Sequence, residues 1–197
     1  EKYWAKKTFA PSSLIFYLGI KKKVNNLRHH TLFFDADFEE HSKEIYDNKQ
    51  WPKDPLFYVC CASQTDPNVA PEGCENLFVL MPLATGLEDT PELRSKYFKL
   101  ILNRLESHLG ESLLDDIIVN ESYCIKDFKA DYNAYGGNAY GLANTLNQTA
   151  IFKPKMVNKK ISNLIYTGQL TVPGPGVPPS IISGKISANL LLKQFKS

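Results

Sequence analysis

The most informative stretch of this chain is residues 163–185, which read NLIYTGQLTVPGPGVPPSIISGK. Apolar residues open the stretch, glycines and prolines fill its middle, and small and apolar residues follow. The pattern predicts a short buried strand, a tight turn and then an amphipathic helix that starts at Pro178 or Pro179. The predicted buried stripe of that helix consists of Ile182, Ile186 and Leu190.

The predicted turn combines flexible and rigid residues. Gly174 and Gly176 are free in φ, whereas the prolines around them have a fixed φ. A ligand can approach such a turn closely, and the N–H groups and dipole of the following helix favour an anionic or electron-rich one. A plain connection between a strand and a helix inside a core is the alternative interpretation.

Composition excludes some classes of protein. With 197 residues, of which 43% are hydrophobic and 22% charged, the chain suits one large or two small globular domains. A net charge of +2, without a basic face of interleaved aromatic residues, argues against nucleic acid as a partner. No apolar run approaches the roughly 20 residues of a membrane span. The lysines of residues 21–23 indicate a solvated turn, with contact to an anionic membrane surface as the alternative.

Cysteine and histidine spacing predicts no metal site and no identifiable catalytic residue. The cysteines contain no C-x-x-C pair, so we interpret them as buried reduced thiols. They are Cys60, Cys61, Cys74 and Cys124. The adjacent His29 and His30 would point to opposite faces of a strand, and a structural hydrogen bond is favoured over contact with a ligand. No H-E-x-x-H or G-x-S-x-G motif is present.

Short apolar runs bounded by turn residues predict a sheet. The predicted strands are residues 13–18, 31–34, 56–62, 76–82 and 117–125, and the predicted helices are residues 37–47 and 91–109. Pro82 should end its strand or lie at an edge. Gly136, Gly137 and Gly141 predict a flexible loop that a ligand approaches. The predicted class is a mixed α/β fold of α+β character, with a largely antiparallel or mixed sheet and helices on one face.

Several motifs in one order resemble a known family. They are residues 3–4, 10–14, 16–19, 29–31, 137–142, 146–150, 153–154, 163–166 and 168–184. Together they resemble the carboxyl-terminal part of bacterial-type phytoene desaturases, flavoproteins related to the amine-oxidase superfamily. The resemblance covers almost the whole chain, although no single motif is specific by itself.

The resemblance implies the carboxyl-terminal part of an FAD-dependent oxidoreductase that dehydrogenates phytoene-type acyclic carotenes in carotenoid biosynthesis. Residues 1–130 would form part of the substrate-binding domain, in which residues 14–18 and 56–59 are candidates to line an apolar tunnel, with a place in the ordinary core as the alternative. Residues 131–197 would be the carboxyl-terminal strand-turn-helix segment of a Rossmann-like FAD-binding domain. The G-x-G-x-x-G fingerprint of its amino-terminal part is absent and the chain starts at Glu1, so we expect a piece of a longer protein.

Carried over by position, five residues would bind FAD. Gly168 and Gln169 would lie near the pyrophosphate and ribityl chain, and Gly176, Val177 and Pro178 beside the isoalloxazine ring. Gln169 stands where the superfamily often has an acidic residue, and its backbone N–H could still serve. The helix dipole would favour the electron density that gathers on the ring as it is reduced. No acid or base residue is assigned.

Other activities on the same scaffold stay open: a hydroxycarotenoid desaturase, a carotene isomerase or a retinol-saturase-like reductase. A non-catalytic module that binds an apolar ligand or a protein is the alternative of a different class. The family implies a cytoplasmic enzyme held peripherally at a membrane, because its substrate partitions into lipid. We expect the 197-residue chain alone to bind FAD weakly or not at all, to be inactive and to self-associate through exposed apolar surface.

Overall fold

A computed structural model describes residues 2–195. Glu1 and residues 196–197 lie outside the described residues, at the outer ends of the two predicted domains. The chain divides into two compact units. They are the sheet unit, Pro11–Gly137, and the terminal unit, Glu1–Ala10 with Asn138–Ser197. The functional division into residues 1–130 and 131–197 stays a prediction.

The sheet unit contains a five-stranded antiparallel sheet. Its strands are β1 (Ser12–Ile20), β2 (His30–Phe33), β3 (Phe57–Cys60), β4 (Glu75–Leu83) and β5 (Ile117–Tyr123). They lie in the order β2-β3-β4-β1-β5, and neighbouring strands are antiparallel. The predicted mixed α/β class with a largely antiparallel sheet is confirmed. Pro82 lies inside the central strand rather than at an edge, and it fits there because the pairing of β4 with β3 ends at Leu80.

Three helices belong to the same unit. They are α1 (Phe38–Tyr46), α2 (Pro91–Leu109) and α3 (Ile125–Tyr132). The first two are capped by side chains: the Asp37 carboxylate accepts a hydrogen bond from the Glu40 N–H at 3.0 Å, and Thr90 Oγ1 accepts one from the Leu93 N–H at 3.3 Å. Gly110 ends α2 in the left-handed conformation, with φ of 73°.

One face of the sheet packs into a core, and the other, here called the open face, is exposed at Tyr17 (46%) but buried at Ile15 (8%). Buried and half-buried residues alternate along β4, which is the pattern of a sheet with one covered face. The covered face and α2 form the hydrophobic core, where the rings of Phe16 and Phe98 lie 5.3 Å apart. Other core residues are Leu14, Leu18, Val59, Met81, Tyr97, Ile101 and Leu105. Each fully buried aliphatic side chain contributes about 1.5–3 kcal/mol to stability, so this face is committed to the core.

An ion-pair network joins the start of α2 to the start of α3. The Arg94 guanidinium donates two hydrogen bonds of 2.7 Å to the Asp89 carboxylate, and its Nη2 also lies 2.7 Å from Asp127 Oδ2. Burial alone would raise the pKa of Asp89, but the hydrogen bonds from Arg94 and the Lys126 N–H outweigh it and hold the pKa below its usual range. Since these charges are mutually paired, we assign the network a structural role.

The glycine-rich loop at the end of the sheet unit packs against its own chain. Gly136 and Gly137 have φ of 63° and 68°, a conformation that glycine adopts without steric cost. A Cβ at Gly137 would lie 2.6 Å from Ile125 Cγ2, and the Gly137 carbonyl accepts a 2.5 Å hydrogen bond from Ser12 Oγ. The close approach at Gly137 is therefore made by Ile125 and not, as predicted, by a ligand.

The terminal unit is irregular up to its long helix, α4 (Val177–Phe195). Gln148 joins the two chain segments of this unit, because its side chain bonds the N–H and the carbonyl of Thr8 at 3.0 and 2.8 Å. The buried strand predicted ahead of the turn is wrong. Ile165 makes an isolated bridge with Val157, and Tyr166 is 43% exposed. A single bridge does not make a ladder, so this segment stays irregular.

The buried position of α4 is a serine rather than the predicted aliphatic stripe. Ser183 is fully buried, whereas Ile182 is 47% exposed and both Ile186 and Leu190 are half-buried. A small side chain lets the preceding turn pack directly on the helix, and the larger apolar side chains then point elsewhere. Within the described part of the chain, no helix combines the length and the apolar character needed to cross a bilayer.

Candidate functional site

The glycine- and proline-rich turn is held onto α4 by the Ser183 hydroxyl. This oxygen accepts a hydrogen bond from the Gly168 N–H at 2.9 Å and lies 2.9 Å from Thr171 Oγ1 and 3.0 Å from Thr167 Oγ1. Thr171 in turn donates to the Gly168 carbonyl from its N–H and from its hydroxyl, at 3.0 and 2.9 Å. Hydrogen bonds within the terminal unit therefore preorganise the turn, as a binding loop requires.

The five predicted FAD-binding residues lie at the two ends of this turn. Gly168 and Gln169 are near its beginning, and Gly176, Val177 and Pro178 form its junction with α4. Gly168 has φ of 99°, and a Cβ placed on it would meet no described atom within 4 Å, so a ligand has room there. Contact of these residues with a cofactor stays a prediction.

The start of α4 offers fewer donors than its position in the sequence suggests. Because α4 begins at Val177, Pro178 and Pro179 occupy positions whose N–H groups would otherwise project from the helix end. Proline has no N–H, and within residues 2–195 the amides of Gly176 and Val177 make no hydrogen bond. Val177 is 75% exposed. Two adjacent amides, rather than the four of an ordinary helix start, form this polar end.

Lys153 lies beside the turn and was not predicted as a site residue. It is buried, and its Nζ is 3.5 Å from the place that a Cβ would take on Gly174. Nζ donates to Asn144 Oδ1 at 3.4 Å, and burial lowers the pKa of this lysine. A buried ammonium group is costly unless it is paired, so Lys153 is a candidate to bind an electron-rich ligand. In the sequence, Lys153 stood out only as part of the motif at residues 153–154 that resembles phytoene desaturases.

The open face of the sheet carries aromatic side chains across four strands. We define the aromatic row as His30 (β2), Tyr58 (β3), Phe78 (β4) and Tyr17 (β1). Successive ring centroids are 5.9, 6.4 and 5.6 Å apart, within the range of direct aromatic contact. The register produces the row, because Phe78 pairs with both Tyr17 and Cys60, and residues two apart on a strand share a face.

A shallow apolar pocket of ≈ 330 Å³ adjoins the row, with Tyr17, Phe78 and Val119 in its lining. Gly19 keeps this pocket open, since even a Cβ there would lie 3.2 Å from Val119. Tyr17 and Val119 remain 46% and 48% exposed. Contiguous exposed apolar surface of this kind marks binding sites in folded proteins.

The strands predicted to line a tunnel contribute only alternate residues to the open face. Tyr17 and Tyr58 lie on it, and the residues on either side of them belong to the core. Those core residues are Phe16, Leu18, Phe57 and Val59. Residues 14–18 and 56–59 therefore serve both the core and the candidate site, which the sequence analysis treated as alternatives.

His29 and His30 do not point to opposite faces as predicted. Their ring centroids lie 4.2 Å apart, because His29 precedes β2 and does not follow the alternation of a strand. The favoured role in hydrogen bonding is confirmed, since each Nδ1 lies 2.6 Å from a hydroxyl, that of Thr65 for His29 and that of Tyr58 for His30. Ligand atoms of both histidines and of Cys60 also lie within 4.8 Å of one another, although the spacing predicted no metal site.

Known proteins similar to this chain are carotenoid-modifying enzymes. The chain is 42% identical over 195 residues to the carotenoid 3,4-desaturase of Haloarcula japonica, covering 99% of this chain and 39% of that protein. It is 32% identical over 196 residues to the lycopene-forming phytoene desaturase of Pantoea ananas, covering 96% and 39%. Identity to the 1-hydroxycarotenoid 3,4-desaturase of Flavobacterium sp. is 32% over 182 residues, covering 91% and 37%. No protein-family model matches the chain.

The chain is therefore homologous to carotenoid desaturases, which are oxidoreductases acting on CH–CH bonds. These homologues are members of the phytoene desaturase family, so the resemblance found in the sequence is confirmed. The chain spans 39% of the length of the first two relatives named here.

Proposed function

We propose that this chain is the carboxyl-terminal part of an FAD-dependent carotenoid desaturase that dehydrogenates phytoene-type acyclic carotenes. The aromatic row carries the proposal, because an open sheet face of contacting rings suits a long, apolar, conjugated ligand. On this proposal the sheet unit is part of the substrate-binding domain. The terminal unit is then the carboxyl-terminal part of the FAD-binding domain.

The residues of the turn fit the flavin cofactor that carotenoid desaturases generally use. When bound, FAD accepts the hydride that leaves a CH–CH bond of the substrate. Gly168 and Gln169 would contact its pyrophosphate and ribityl chain, and Gly176, Val177 and Pro178 its ring. The amides of Gly176 and Val177 would donate to an electron-rich ring edge, where the helix dipole adds positive potential. The space at Gly168 and these two amides support the fit.

Lys153 would add a second source of positive potential to the same turn. Its ammonium group is buried beside Gly174 and held by Asn144, so its position is restricted before any ligand binds. A restricted cation stabilises negative charge that develops on a bound group without further reorganisation. We therefore place Lys153 among the cofactor-binding residues.

One observation favours a second activity, the 3,4-desaturation of a carotenoid. The relative from Haloarcula japonica, named for that reaction, is 42% identical, whereas the phytoene desaturase from Pantoea ananas is 32% identical. The aromatic row serves either activity, because it would contact the polyene that both kinds of substrate share. The carotene preferred by the full-length protein distinguishes the two.

The proposed substrate also places the protein at a membrane. Carotenes partition into lipid, so an enzyme that takes them up has to reach a membrane surface, and we propose a cytoplasmic protein that does so peripherally. Exposed apolar residues of α4 support an apolar partner, whether lipid, the rest of the polypeptide or a second copy. Ile181 and Leu192 are 69% and 56% exposed. In the isolated chain this surface would favour self-association.

The experiment is the Phe78→Ala substitution in the full-length protein, supplied in separate assays with phytoene and with a 1-hydroxycarotenoid. Because the row loses the ring that contacts both Tyr17 and Tyr58, we expect roughly a tenfold loss of product from the preferred carotene, with flavin content unchanged. Leu114→Ala is the matched control, since Leu114 is 58% exposed in the same unit but outside the sheet. Full activity of Phe78→Ala, or an equal loss in both variants, contradicts the proposal.

A further inference from the structure

Two imidazoles and one thiol come together at the end of the aromatic row. His30 lies directly opposite Cys60 in the β2–β3 register, so their side chains leave the same face of the sheet. His29 is brought beside them because its carbonyl accepts a 2.8 Å hydrogen bond from the Cys61 N–H, which fixes the chain just ahead of β2. The ligand atoms of His29, His30 and Cys60 lie within 4.8 Å of one another.

The hydrogen bonds around His29 leave one ring nitrogen able to bind a metal. The Thr65 hydroxyl donates its proton to the Ala62 carbonyl at 3.3 Å. Its oxygen therefore accepts from Nδ1–H of His29, 2.6 Å away. In this tautomer Nε2 of His29 carries a free lone pair, as a metal ligand requires.

The same reasoning applies to His30 through Tyr58. The Tyr58 hydroxyl oxygen lies 2.6 Å from Nδ1 of His30, and a phenol oxygen keeps lone pairs that accept from Nδ1–H. In that tautomer Nε2 of His30 is free to bind a metal. Both imidazoles are thus oriented by hydroxyl groups, the arrangement that supports histidine ligands in metal sites.

We propose that His29, His30 and Cys60 bind one divalent transition-metal ion of borderline softness, such as Zn²⁺, with its fourth position open to solvent. Two imidazoles and a thiolate are preferred ligands of such ions. Binding replaces the S–H bond of Cys60 with a sulfur–metal bond and releases that proton to solvent. Tetrahedral bonds of usual length put ligand atoms roughly 3.5 Å apart, whereas one nitrogen of each ring and Cys60 Sγ lie within 4.8 Å of one another here, so the side chains need to close in for the ion to bind. The bound ion would fasten the segment before β2 to β3.

The probe is Co²⁺, titrated into the full-length protein after treatment with a chelator and followed by difference absorption. We expect one equivalent to produce a thiolate-to-metal charge-transfer band, which Zn²⁺ then removes. Cys60→Ser should abolish the band, and His29→Ala or His30→Ala should weaken Co²⁺ binding by roughly tenfold or more. Cys74→Ser is the matched control, because Cys74 is also a half-buried free thiol but lies outside the cluster.

Several outcomes overturn the inference whether or not the protein desaturates carotenes. They are the lack of a charge-transfer band in the unsubstituted protein, its persistence in Cys60→Ser, and its loss in Cys74→Ser. Should a histidine variant fail to fold by circular dichroism, Tyr58→Phe replaces it. That variant keeps all three ligands and removes a supporting hydroxyl, so it should weaken Co²⁺ binding while retaining the band. Unchanged affinity in Tyr58→Phe counts against the proposed orientation of His30.

Discussion

Replacing Gly137 by alanine should destabilise the sheet unit far more than an ordinary glycine substitution. Its φ of 68° alone costs an alanine about 1–2 kcal/mol. The added Cβ would also lie 2.6 Å from Ile125 Cγ2 and 2.7 Å from the Ile125 carbonyl oxygen. The carbonyl belongs to the first turn of α3 and cannot rotate away, so relieving the overlap costs about 1–3 kcal/mol more. We expect a total loss of about 2–5 kcal/mol.

Gly110→Ala isolates the steric part of this loss. Gly110 has a similar φ of 73°, but a Cβ there would meet no described atom within 4 Å. It should therefore cost only the backbone contribution of about 1–2 kcal/mol. Urea unfolding of the full-length protein, followed by circular dichroism and fitted with equal slopes, measures both variants. If Gly137→Ala costs no more than Gly110→Ala, the contact with Ile125 does not determine this position and the loop has room for a ligand after all.

Two further predictions concern the turn and a buried histidine. Val177→Pro removes an exposed amide at a helix position that proline favours. On dilution, the Val177→Pro protein should release FAD at least roughly tenfold more readily than the Val177→Ala protein, as measured by flavin fluorescence. Equal release from the two variants would exclude this amide as a contact of FAD. Burial lowers the pKa of His41 below 6.5, and its Nδ1 accepts a hydrogen bond from the Leu56 N–H at 2.8 Å. The contribution of His41 to the free energy of unfolding should therefore be constant above pH 6.5 and fall below it by at most about 1.4 kcal/mol per pH unit. His41→Gln should flatten this part of a profile of melting temperature against pH, and an unchanged slope would refute the prediction.

Elements with their own local signals could be predicted from the sequence. Thr90, Pro91 and Gly110 determine the ends of α2 by capping, φ restriction and a left-handed residue, all of which act within a few residues. The apolar run of β4 also predicted a strand by itself, because turn residues bound it, but not which of its residues face the core. The register that places Phe78 beside Tyr17 and Tyr58 was not visible, because it depends on which strands become neighbours.

The errors have the same origin in long-range structure. Ile165 and its neighbours have the apolar content of a strand, but the one bridge to Val157 gives them no partner strand along which to extend. His29 and His30 would alternate if both lay in β2, yet the strand begins at His30. The role of Ser183 in holding the turn has no local signal, because it depends on Gly168, fifteen positions earlier in the chain.

The consecutive prolines of α4 change what the helix end selects. Holding a phosphate takes several converging amides, and the rings of Pro178 and Pro179 delete two of them. The pair that is left, on Gly176 and Val177, matches a single acceptor atom or two adjacent ones. With only two amides, this helix end is poorly suited to a group that is always charged. It is well suited to a neutral carbonyl that becomes negative only while electrons are stored nearby.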